Sequence, residues 1–292
     1  MRVVRVTIRF GLVLLLCVAV VTPLTTLAAQ QAQASGRILL ATVVDTTGKT
    51  QVDFGVDDFV IQEGGDEREV LDVHVADYPV VVLIDDVPES TDLAPMTSAV
   101  ARFVTRIGER PVAIGTLSNP SALVASLEDS REDVLERVTK MTSKPGEAST
   151  LPSVAHAAGV LQNTGSPFSA IVVVTGRAID ARIPVEGDLL PSIVDSGAAV
   201  HVVESQASHL DATDANVGDV VPDLLRVLAD QTHGQYTTIF SSVSYGAALD
   251  RLADKLSAEL MIQYLIPPGE AGGDVRVGVR RPGSRVVGLG VK

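Results

Sequence analysis

Tryptophan is absent, cysteine occurs once, and aromatic residues make up 3% of the chain. Few aromatics argue against a ring-lined binding groove. With 46% hydrophobic residues, alanine and the branched aliphatics must fill a sizeable core, and long disorder is not expected. The lone Cys17 sits in an apolar N-terminal run. A chain cleaved beyond it has no disulfide, no thiolate nucleophile and no Cys-ligated metal. Clusters of Lys and Arg are missing as well. Past residue 34 the chain has 36 acids against 20 Lys plus Arg, a balance of −16. Such a surface repels phosphate backbones and anionic lipids, so no nucleic-acid partner is expected. There is no Gly-x-Ser-x-Gly elbow, phosphate-cradling glycine loop or His-Glu-x-x-His. The histidines, His74, His156, His201, His209 and His233, are scattered, and none pairs at i, i+4 with another His or with Cys. No catalytic residue is assigned, and an enzyme is not expected.

What is present begins with an export signal. Arg2, Arg5 and Arg9 precede an apolar run, Phe10 to Thr22, and Ala32-Gln33-Ala34 fits a small-x-small cleavage site. Residues 1–34 therefore read as a signal peptide cleaved after Ala34, with Ala29 as second choice. The alternative is an uncleaved anchor from Phe10 to about Ala29, near the roughly 20 residues that a span needs. No other membrane insertion is expected. Leu15 and Leu16 before Cys17, and an apolar stretch after it, do not suit lipidation. The mature protein is expected in the periplasm, the cell envelope or outside the cell.

Residues 37–76 are β-rich, with turns at Asp45–Lys49 and Gly64-Gly65-Asp66. From residue 78 to 260 strands and helices alternate. Val80–Ile84, Ala170–Val174 and Ala198–Val203 are apolar on both faces, and Val112–Ile114 and Ala122–Val124 are short strands. Between them, Met96–Ile107, Arg131–Met141, Leu151–Leu161, Leu189–Val194, Val221–Ala229 and Tyr245–Leu260 carry helical spacing. Gly234 sits where a helix stop belongs. This pattern predicts an α/β fold, a mostly parallel sheet with helices on both faces. Residues 261–292 return to β structure. They are expected to join residues 37–76 in a small β-sandwich, because each segment lacks a partner for its apolar face. Tyr236 and Tyr264 are expected at the join of core and sandwich.

The landmarks, in order, are VVDTTGKTQVDFGVDDFVIQEGG (43–65), VVVLIDD (80–86), Ser149-Thr150-Leu151 opening an Ala-rich helix, LADQTHGQY (228–236), and Tyr264 before Pro267-Pro268. Together they resemble the von Willebrand factor A-type domain, and more closely the bacterial VWFA-related secreted proteins of the Acidobacteria type. Those proteins have Thr-Gly-Gly where this chain has Thr232-His233-Gly234. The resemblance implies a vWA/Rossmann-like core and a metal-ion-dependent adhesion site at the C-terminal ends of the strands. That site takes an Asp-x-Ser-x-Ser, a Thr before a helix and an Asp after the fourth strand, because a hard divalent cation wants hydroxyl and carboxylate oxygens.

In this chain the first part reads Asp85-Asp86-Val87-Pro88-Glu89-Ser90, Thr150 is kept, and the last part reads Thr175-Gly176-Arg177 without an acid. The metal site is thus expected to be degenerate and no cofactor is assigned. If Mg²⁺ or Mn²⁺ binds at all, its ligands are Asp85, Glu89 and Thr150. Without a cation, this loop is a solvated acidic cap in which Asp85 accepts backbone N–H bonds. The run Asp211 to Asp219 resembles a cation loop, but its glycine has the wrong offset, so helix initiation before Val220 is expected. The resulting expectation is an exported, non-catalytic module that binds a protein or peptide. Its ligand face is Asp85, Asp86, Glu89, Ser90, Ser149, Thr150, Thr175, Gly176 and Arg177. The alternatives are an envelope-assembly component acting through sandwich edges, or a metal-dependent adhesion domain.

Overall fold

The computed structural model describes residues 35–87, 92–120, 122–145, 147–176, 189–206, 223–267 and 273–291. The export segment, Glu89, Ser90, Arg177 and the 211–219 run lie outside the described residues. The N-terminal strands are β1 (Ser35–Val44), β2 (Thr50–Gln51), β3 (Phe59–Glu63), β4 (Asp66–Arg68) and β5 (Val70–Val75). The alternating region follows as β6 (Val80–Ile84), α1 (Leu93–Arg106), β7 (Val112–Thr116), β8 (Leu123–Ala125), α2 (Arg131–Thr139), α3 (Thr150–Gln162), β9 (Ala170–Thr175), α4 (Leu189–Asp195), β10 (Ala199–Ser205), α5 (Leu224–Gln231), β11 (Tyr236–Ile239) and α6 (Ser244–Ser257). The chain ends in β12 (Glu259–Ile266), β13 (Val275–Val279) and β14 (Arg285–Val291).

The central sheet has the order β11-β10-β9-β6-β7-β8. All its pairs are parallel except β7–β8, which is antiparallel. Numbered within the core, this is the doubly wound order 3-2-1-4-5-6, read from the β8 end. Strands β6 and β9 are buried at every position. Val80, Val82 and Ile84 face α1, α2 and α6, whereas Val81 and Leu83 face α3, α4 and α5. A strand covered on both faces loses the polar alternation of a half-exposed one. On α1, Met96, Ala99, Val100, Phe103 and Val104 form the buried stripe that helical spacing demands. At the start of α2 the Ser130 hydroxyl accepts the Asp133 N–H, satisfying one of the donors a helix N-terminus leaves unpaired.

The terminal segments form two further sheets. One has the order β14-β1-β12-β5, with β2 beside β1, and the other is β13-β3-β4. Strand β1 pairs antiparallel with β12 from Ser35–Ile266 to Thr42–Glu259. Leu39, Ala41 and Val43 join Phe59, Ile61, Leu260, Ile262 and Tyr264 in the core that the two sheets share. The alternate residues Ile38 and Leu40 pack on the α/β core instead. The sequence expectation of a joined β unit thus has its physical basis in β1 and β12, whose two faces serve different cores.

At this join lies Tyr78, whose hydroxyl donates to Glu259 Oε2 at 2.5 Å. The Arg110 guanidinium stacks 4.0 Å over the Tyr78 ring and donates to the Leu256 carbonyl at 2.6 Å. Burial, then the neighbouring Glu259 charge, pushes the Tyr78 hydroxyl far above its ordinary pKa. Burial likewise raises Glu259. Tyr264 lies inside the sandwich core, and Tyr236 lies on β11, away from the place expected for both. The described part of α5 begins after its cap residue Asp223, whose side chain accepts the Leu225 N–H at 3.0 Å.

Candidate functional site

Parallel strands joined by right-handed crossovers bring their C-terminal ends to one edge, the usual ligand side of such folds. Here that edge collects Asp85 and Asp86 after β6, Thr116 to Ser118 at the end of β7, Thr175 and Gly176 at the end of β9, and Glu204 and Ser205 at the end of β10. The first residue of α3, Thr150, and the first turn of α6 complete it.

Asp85 and Asp86 are fully buried. The Asp85 backbone N–H continues the sheet ladder to the Val174 carbonyl at 3.0 Å. Its carboxylate accepts the Thr175 hydroxyl at 3.1 Å. Longer contacts reach it from the N–H of Val87 at 3.4 Å and that of Gly176 at 3.5 Å. Asp86 turns toward β7, where Oδ1 accepts the Ser118 N–H at 3.0 Å and Oδ2 the Ser118 hydroxyl at 2.7 Å. Its carbonyl accepts the Ser143 hydroxyl at 2.9 Å and the Lys144 N–H at 3.0 Å. Val87 is buried in the core, where a cation site would need a hydroxyl.

Thr150 is buried at the start of α3, and the Ser149 N–H before it donates to the Leu117 carbonyl at 2.7 Å. The Ser153 hydroxyl donates to the Thr116 carbonyl at 3.2 Å. The structure thus brings Asp85, Asp86, Ser149, Thr150, Thr175 and Gly176 to one edge. Glu89, Ser90 and Arg177 lie outside the described residues. Of the cation ligands that the resemblance implies, the described residues supply Asp85 and Thr150. Among the described residues no group of three or more His, Cys, Asp or Glu is placed to hold a metal ion.

Three side chains at this edge were not singled out from the sequence. Tyr245, fully buried on α6, donates its hydroxyl to the Thr175 carbonyl at 3.1 Å. Burial first, and then the Asp92 charge, moves its pKa well above the ordinary tyrosine range. Ser118 holds Asp86 as described. Glu204 is fully buried at the end of β10, in register with Thr175. Burial first, then its hydrogen bond to Asp223 and that group's charge, pushes the Glu204 carboxyl up to about 8. The Tyr236 hydroxyl bridges Glu204 and Asp223, and the Arg226 guanidinium stacks 4.1 Å over the Tyr236 ring. Strand ends and helix starts far apart in sequence bring these groups together, so no local spacing marks them.

The edge is therefore a network of buried acids already engaged by protein donors, with Ser118, Ser149 and Gly176 half-buried at its rim. The core has the doubly wound strand order with helices on both faces of the sheet. The sequence matches no protein-family model and no curated protein. Among solved structures, the chain is similar to a von Willebrand factor type A protein from Catenulispora acidiphila. That match has 13% identity, covers 82% of this chain and 74% of the other, and has a TM-score of 0.48. It is also similar to the conserved hypothetical protein BatB from Bacteroides thetaiotaomicron, at 16% identity, 62% and 98% coverage and a TM-score of 0.42. A third is proximal thread matrix protein 1 of the mussel byssus, a structure with a zinc-occupied MIDAS motif. It shows 13% identity, 63% and 48% coverage and a TM-score of 0.46. At these identities the likeness concerns the fold.

Proposed function

We propose that this chain is an exported, non-catalytic binding module that engages a protein or peptide at the C-terminal edge of its central sheet, without a divalent cation. The observation that carries this reading is the inward engagement of Asp85 and Asp86 by Thr175 and Ser118. Carboxylates held this way cap the strand ends. Recruiting them to a cation would break hydrogen bonds, and magnesium tolerates an incomplete octahedron poorly. Arg177, next in sequence after Gly176, supplies a charge suited to a partner's carboxylate. Export rests on the composition of residues 1–34, and the closer placement among VWFA-related secreted proteins rests on the quoted motifs.

A second reading has one observation in its favour. Strand β14 is a sheet edge that exposes Val287, Leu289 and Val291 with no charged residue between Arg285 and Lys292. Uncharged edges accept added strands, as an envelope-assembly role would use. Photo-crosslinkers placed at Ser149 and, separately, at Val287, with envelope extract and culture supernatant as prey, distinguish the two. The leading reading expects a protein adduct from position 149 that persists in chelator and is lost in Arg177→Glu. Adducts from position 287 alone would favour the second reading, and loss of the adduct at 149 in chelator would restore metal-dependent adhesion.

A further inference from the structure

At the opposite end of the central sheet, a crevice of about 480 Å³ opens between the α/β core and the β1–β14 side of the sandwich. Its volume falls in the ~300–1,000 Å³ range of small-molecule sites. Its walls combine Leu40, Phe168 and Leu289 with three nitrogen bases, His201, His233 and Lys255.

His201 lies on β10 and is only 3% exposed. Its Nδ1 accepts the Gln235 N–H at 3.1 Å. A neutral imidazole that accepts at Nδ1 carries its proton on Nε2, so its remaining polar atom is a donor. Burial first, and then the Lys255 charge, holds the His201 pKa down to about 3, which keeps the ring neutral. Lys255 is exposed at the mouth, on the last turn of α6. Glu259 also faces the crevice, but its carboxylate takes the Tyr78 hydroxyl at 2.5 Å and lies 3.7 Å from the Arg110 guanidinium.

The third base sits in a strained place. His233 has φ +58° and, among the described residues, is the only non-glycine residue with positive φ. L-residues adopt that conformation at a cost that glycine does not bear. The neighbouring Gly234 fixes the turn, because a Cβ at that position would lie 1.8 Å from the Val200 carbonyl oxygen. The chain thus keeps an imidazole at a position where glycine would be easier, and that imidazole lines the crevice.

We propose that the crevice is a second ligand site, which takes a small organic carboxylate with a short apolar body. Lys255 and His233 meet the carboxylate at the mouth, the His201 Nε2–H donates to it from the floor, and Leu40, Phe168 and Leu289 pack against the body. The site does not depend on the function proposed for the other edge.

The test is calorimetric titration of sodium hexanoate, and separately of hexylamine, into the full chain, with imidazole ¹⁵N spectra followed through the titration. Saturable one-site binding of hexanoate is expected, together with a shift of the His201 Nε2 resonance and no saturable binding of hexylamine. Lys255→Met and His233→Gly should each weaken hexanoate about tenfold, the scale of losing a hydrogen bond to a charged group. His233→Gly should melt no lower than the parent, so its lost affinity cannot come from unfolding. Absence of saturable hexanoate binding, equal binding of hexylamine, or unchanged hexanoate affinity in both variants would overturn the proposal.

Discussion

Three buried acids at one edge meet different fates according to their partners. Asp85 and Asp86 have hydroxyl and N–H donors, whereas Glu204 faces a second acid, Asp223, and is pushed up to about 8. The folded protein therefore holds a proton on Glu204 at pH values where the unfolded chain, near 4.5, has released it. Its contribution to stability is fully present below pH 4.5 and is lost as the pH rises through about 8. Glu204→Gln, which stays neutral, should match the parent in acid and exceed it by on the order of 1–3 kcal/mol near pH 8. Urea unfolding of both proteins at several pH values measures this. A difference independent of pH would show that Glu204 carries no extra proton. The sequence offers no sign of this pair, because residues 204 and 223 meet only through the placement of β10 and α5. It does mark Gly234 as a helix stop, and α5 ends there, with the Gly234 N–H donating to the Ala229 carbonyl at 2.8 Å. His233 takes the left-handed conformation, and Gly234 is required by its close approach to Val200.

Among the elements, β1 has the widest reach. One face of it builds the sandwich core through Leu39, Ala41 and Val43, and the other packs Ile38 and Leu40 on the α/β core. Leu39→Ala should cost about 2–5 kcal/mol, the usual range for truncating a fully buried leucine. The loss should appear as one lowered transition, with tyrosine fluorescence and far-ultraviolet dichroism coincident. Two separated transitions would mean that the sandwich unfolds apart from the core. The strands and helices with strong apolar periodicity, such as β6, β9 and α1, were legible from sequence because burial dictates their composition. Strand β11 was not: Tyr236-Thr-Thr-Ile239 is short, half-buried at three positions and, among the described residues, paired only with β10, so it lacks the continuous apolar run of its neighbours.

Taken whole, the molecule places two kinds of chemistry at opposite ends of one sheet, acids at the C-terminal edge and nitrogen bases in the crevice at the other. The α/β class and the joining of the terminal β segments could be read in advance, because alternating apolar runs and unpartnered strand faces leave few arrangements. The candidate edge was partly legible. Asp85, Thr150 and Thr175 stand at strand-to-helix positions that sequence order reveals, but Ser118, Glu204 and Tyr245 reach the edge through tertiary packing alone. The central claim is that this edge works as an internally bonded cap and not as a cation site. Calorimetric titration of Mg²⁺ and Mn²⁺ into the chelator-treated protein, with Asp85→Ala as control, tests it most directly. The account predicts no saturable sub-millimolar binding by either protein; sub-millimolar binding by the parent that Asp85→Ala abolishes would contradict it.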